Sequence, residues 1–126
     1  MNFIENLDLH DSLRAHFQTV DVQHLNAVLL ESGVTDLAVR KKILGNYFFT
    51  AGEFFDAGWF EAHGKKYSAI VCFRELDNRL KRSQSMICPD PEWGTIFHEM
   101  ASGTAEVIAE DPENENVKVK VGEVSR

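Results

Sequence analysis

The stretch GNYFFTAGEFFDAGWF, Gly45 to Phe60, constrains this chain more than any other: seven of its sixteen residues are aromatic, and a folded chain must house them. On a helical wheel Leu37, Ile43, Leu44, Tyr47, Phe48, Ala51, Phe54 and Phe55 share one broad face, the pattern of an amphipathic helix lying over a core. Thr35 stands where an N-cap belongs, Val34 and Val39 are spaced as a hydrophobic staple, and Gly58 closes the run. Phe48, Phe54 and Phe55 are therefore expected inside. Glu53 and Asp56 are expected on a solvated outer face beside Lys42 and Asn46. The same wheel puts Gly45 and Gly52 outside, flanking Phe49. Each glycine costs a helix about 1 kcal/mol relative to alanine, so a knob between two hollows needs a reason. Either another part of the chain crosses there, or Gly45, Phe49 and Gly52 form an association surface, a homodimer interface included.

Upstream, Asp8 is placed to cap a short helix carrying Leu9, Leu13, Phe17 and Val20 on one face with His16 beside them. A second helix, Asp21 to Ser32, carries Val22, Leu25 and Leu29 and stops at Gly33, suited to a left-handed C-terminal position. Downstream, WFEAHGKKYSAIVCFREL reads as a hairpin with its turn near His63-Gly64 and a second strand from Tyr67 to Arg74. Residues 76–93 have no clear period and contain Pro89 and Pro91, the signature of a long loop, mobile or carrying an edge strand around SQSMI. GTIFHEM, TAEVIAED and NVKVKVGEV then suit a strand meander, although Pro91 to Ala101 also reads as a helix capped by Asp90. Helices first and strands afterwards predict an α+β domain, with about three N-terminal helices packed on one face of a C-terminal antiparallel sheet of about four to five strands.

A length of 126 residues suits a single domain, 1–126, able to form a core without disulfides or a structural metal. The N-terminal MNFIENLDLHDSLRAHF carries no Lys or Arg before Arg14 and no apolar run, so it suggests neither a signal peptide nor a membrane segment; a cytoplasmic protein is the expectation. There the two cysteines, Cys72 and Cys88, stay reduced, and their spacing lacks a CxxC pair. The net charge of −7 argues against nucleic acid as a partner. That charge is uneven. Arg40 to Arg82 holds nine basic and five acidic residues, whereas Asp90 to Glu115 holds eight acids and no Lys or Arg.

No motif assigns a catalytic residue, and the sequence implies no cofactor. Glu53 and Asp56 resemble half of a carboxylate metal site, but the Glu-x-x-His pairs of such sites are missing. Phe97 to Met100, FHEM, begins like HExxH, yet Ser102 stands where the second histidine belongs. Cys72, Cys88, His63 and His98 are ligand types for zinc without the paired spacing, so no metal is expected. A Cys88–His98 nucleophilic dyad would need a hydrogen-bond distance that sequence does not supply, and Cys72, among Ile70, Val71 and Phe73, reads as an inert core thiol. Arg74, Arg79, Lys81 and Arg82 form a candidate anion patch, weighed against an ordinary solvated loop facing the acidic third of the chain.

Two functional expectations follow. The first is a small acidic interaction or regulatory protein that engages a basic protein partner through its acidic C-terminal third. The alternative is a small-molecule or enzymatic pocket between helices and sheet, lined by aromatics, with His63, His98 and Glu99 as its polar groups.

Overall fold

A computed structural model describes residues 2–92, 94–97 and 102–111. Strand β1 (Asn2–Glu5) leads into α1 (Leu7–Glu31) and α2 (Leu37–Ala57), followed by β2 (Phe60–Ala62), β3 (Lys65–Tyr67), β4 (Ser85–Cys88) and α3 (Ser102–Glu110). The expected antiparallel sheet of four to five strands is not formed among the described residues; the expected strand NVKVKVGEV and part of GTIFHEM lie outside them. Among the described residues there are two sheets of two strands each, β1 with β4 in parallel and β2 with β3 antiparallel.

The two helices expected before Gly33 are one. Asn6, rather than Asp8, caps α1, its side chain accepting from the Leu9 amide at 3.1 Å. Thr19-Val20-Asp21 contains neither glycine nor proline, so nothing in the backbone interrupts the helix there. It ends where the sequence implies. Gly33 takes φ +92°, and the amides of Gly33 and Val34 return to Leu30 O and Leu29 O at 3.1 and 2.9 Å, the paired bonds of a Schellman cap. Asp36, one residue past the expected Thr35, caps α2 by accepting from the Val39 amide.

What α1 buries is polar. His10, Arg14, Gln18, Val22 and Asn26 form its buried row, each four residues from the next, which is one ridge of a helix surface. Leu9, Phe17, Val20 and Val28 stay substantially exposed. The row is tolerated because each of its four polar members has a hydrogen-bond partner, although the buried Asn26 Nδ2 has none. His10 Nε2 lies 2.7 Å from Val71 O, Arg14 donates to Asp11 and Gln18, Gln18 Nε2 donates to Phe97 O at 3.0 Å, and Asn26 Oδ1 accepts from Arg40 Nε at 3.0 Å. Arg40, itself buried on α2, also donates to the carbonyls of Val34 and Thr35.

Helix α3 overturns the expected strand at TAEVIAED. Ala105, Ile108 and Ala109 recur at helical spacing and pack with Val22, Leu44 and Phe48 as the apolar core, while Val107 faces out. Helix α2 packs most extensively on α3, with Lys41 paired to Glu110 across them. The wheel for α2 is rotated from the expected one. Its buried row is Arg40, Leu44, Gly45, Phe48 and Gly52, and Phe54 is exposed. Gly45 and Gly52 thus belong to the covered face.

Gly58 ends α2 for a different reason. Its φ of −82° is open to any residue, but a Cβ there would lie 2.7 Å from Phe54 O and 2.8 Å from Phe54 Cα. The β2–β3 hairpin turns where the sequence implies, at His63 and Gly64 with φ of 52° and 74°, the two left-handed positions of a type I′ turn. Its second strand stops at Tyr67, short of the expected Arg74. Beyond it, Phe73 and Ile87 exchange both backbone hydrogen bonds, at 2.9 and 2.7 Å, Glu75 O accepts from Ser83, and Asp77 bonds Lys81. This antiparallel ribbon lies within and beside the 76–93 segment, and its outer edge at β4 carries β1.

Candidate functional site

A cleft of about 600 Å³ lies between the end of α2, strand β1, residues 68–72 and the turn that follows β4. Each wall has a local cause. Asp56, near the end of α2, accepts from Thr95 Oγ1 at 2.7 Å and from the Phe97 amide at 2.8 Å, drawing residues 95–97 against the helix. The expected outer-face role of Asp56 is therefore incorrect; Glu53 is the exposed one. On the opposite side, Asp90 Oδ1 accepts from the Glu92 amide at 2.8 Å and Asp90 O from the Gly94 amide at 2.7 Å. That turn needs Gly94, whose φ is +69°. Parallel pairing of β1 with β4 then brings Phe3 and Glu5 to the rim.

The lining has a definite chemistry. Phe3, Phe55, Ile70, Pro89 and Pro91 supply apolar surface, and Glu5, Asp56, Asp90 and Glu92 supply charge. No Lys, Arg or His is among the described lining residues. Four carboxylates against an apolar wall disfavour anions and attract a cation with an apolar body.

Cys72 and Cys88 also line the cleft, both partly buried, with their sulfurs 3.1 Å apart. Burial, the hydrogen bond to Cys88 and the proximity of that second sulfur push the Cys72 thiol up to about 11. Cys72 is therefore neither isolated nor simply a core residue.

The sequence-derived candidates are dispersed. His63 sits exposed in the β2–β3 turn and does not line the cleft. His98 and Glu99 lie outside the described residues. Arg74 is partly buried near the base of the 73–87 ribbon, and Arg79, Lys81 and Arg82 are exposed around its tip, where Asp77 Oδ1 accepts from the amides of residues 79 and 81. Gly45 and Gly52 are buried whereas Phe49 is half exposed, so these three do not form the knob and hollows expected of them. Among the described residues no group of three or more His, Cys, Asp or Glu side chains could hold a metal ion, and no helix is long and apolar enough to cross a membrane.

No protein family, curated protein or solved structure matches this chain. The functional reading rests on the geometry of the cleft. Sequence reasoning missed Glu5, Asp90 and Glu92 as neighbours because a parallel pairing between residues 2–5 and 85–88 joins them, and no local period encodes such a pairing. The signal that was present, the acid-rich run from Asp90, contributes two of the four carboxylates.

Proposed function

We propose that this protein is a cytoplasmic interaction module whose cleft receives a lysine or arginine side chain, flanked by an apolar residue, from a basic protein partner. The observation that supports it is the lining: carboxylates are the only charged side chains among the described residues around a cleft of about 600 Å³, a volume within the usual range for ligand sites. The run from Asp90 to Glu115 carries eight acids and no Lys or Arg, and such a charge would accelerate encounter with a basic surface.

The test uses two capped dipeptides, acetyl-Phe-Arg-amide and acetyl-Phe-Glu-amide, titrated into the full chain by amide-resolved NMR. The cationic peptide is expected to shift resonances of residues 55–58 and 88–95, with affinity falling at high salt. Glu5→Gln with Glu92→Gln, two exposed rim positions, is expected to weaken it several-fold. Equal shifts from the acidic peptide, or none from either at millimolar concentration, would refute the reading.

A further inference from the structure

We propose that Cys72 and Cys88 form a reversible intramolecular disulfide, making the wall of the cleft a site of thiol oxidation. The backbone prepares it. Phe73 and Ile87 are a hydrogen-bonded antiparallel pair, exchanging both N–H to O bonds, so their neighbours Cys72 and Cys88 face each other as the adjoining non-hydrogen-bonded pair. In that arrangement Cα atoms stand about 4.5 Å apart, inside the range of about 4.4 to 6.8 Å that a disulfide spans. The sulfurs, at 3.1 Å, need to approach by only about 1 Å to reach bonding distance. Both thiols open on the cleft, so a small oxidant can reach them without unfolding.

The oxidant class is a low-molecular-weight disulfide. One of the two cysteine sulfurs, as thiolate, attacks one sulfur of that disulfide; the S–S bond breaks and one small thiolate leaves. The other cysteine then loses its proton to solvent and attacks the protein sulfur of the mixed disulfide, expelling the second small thiol. Two electrons pass from the cysteine pair to the oxidant, one disulfide is exchanged for another, and two small thiols are released. This chemistry is independent of any ligand in the cleft, so it stands or falls apart from the cationic-ligand reading.

The test treats the reduced full chain with oxidised glutathione and follows intact mass, alkylatable thiols under denaturing conditions and Tm. The expected product is a monomer lighter by two hydrogens, with no alkylatable thiol and a raised Tm, and dithiothreitol restores both thiols. Cys72→Ser and Cys88→Ser, each lacking the second thiol, should both stop at a stable glutathione adduct on the remaining cysteine. A lasting glutathione adduct on the wild-type chain beside a free second thiol, a covalent dimer or a lowered Tm would overturn the proposal. The wild-type product decides the main point even where a variant fails to fold.

Discussion

Asp56 shows how one side chain can look solvated by its position on a helix and yet join two parts of a fold. The wheel placed it beside Glu53; the structure has its carboxylate accepting from Thr95 and from the Phe97 amide, forty residues or so away. Asp56→Ala is accordingly expected to cost about 1 to 3 kcal/mol, because buried donors lose their acceptor, while Glu53→Ala should change stability by about 0.5 kcal/mol or less. Chemical denaturation of the two variants distinguishes them; similar small effects would mean the contact to residues 95–97 contributes nothing. The same rotation transfers the core role from Phe54 to Phe48, which is 3 % exposed against 38 %. Phe48→Ala should cost about 3 to 5 kcal/mol and Phe54→Ala clearly less. Asp21 gives a pH-dependent case. Burial raises its carboxyl above the ordinary 3.8, with His24 pulling weakly the other way. The folded chain then holds this proton more tightly than the unfolded chain does. That contribution to stability is complete below the unfolded value and is lost as pH rises through the folded one. Asp21→Asn should therefore raise Tm at pH 7 and leave it unchanged at pH 3. An equal gain at both would assign the effect to packing rather than charge.

At the scale of elements, hydropathy revealed that the regions of α1 and α2 are helical, though it split α1 in two, missed α3 and did not show which way the helices face. Gly33 and the His63-Gly64 turn were legible because glycine at a left-handed position leaves a local mark. The buried ridge of α1 was not, since four of its five members are polar and their partners, Val71, Phe97 and Arg40 among them, come from other elements. Strand β1 was illegible for a related reason: its four residues are all exposed, and only β4 makes them a strand. For α2 the rotation makes an opposed prediction about its glycines. On an exposed face, Gly45→Ala and Gly52→Ala would each gain about 1 kcal/mol in helix propensity. Both glycines are instead buried, and Gly52 borders a small cavity of about 30 Å³, so an added methyl is expected to cancel that gain at Gly45 and to keep part of it at Gly52. Stability gains in both variants would return these glycines to the surface and reopen the association surface centred on Phe49.

Across the whole molecule, the apolar core and the cleft are built by different parts of the chain. The core joins α1, α2 and α3 through Val22, Leu44, Phe48, Ala105 and Ala109. The cleft depends on β1, β4 and the turn at residues 90–94, tied to the helices by His10 on Val71 and Asp56 on residues 95–97. Composition carried the acidic half of this division, in the run from Asp90, but not the strand pairing that brings Glu5 to meet it. Deleting residues 2–5 should therefore separate the two. It removes Phe3 and Glu5 from the cleft and strips β4 of its parallel partner, while leaving Asn6 to cap α1 and every member of the helical core in place. Circular dichroism of the shortened chain is expected to keep its helical signal with a lower Tm, and titration with acetyl-Phe-Arg-amide should show binding weakened at least about tenfold. Collapse of the helical signal would show that β1 supports the core itself. Unchanged binding would show that the cationic group is held by Asp56, Asp90 and Glu92 without the rim that β1 supplies.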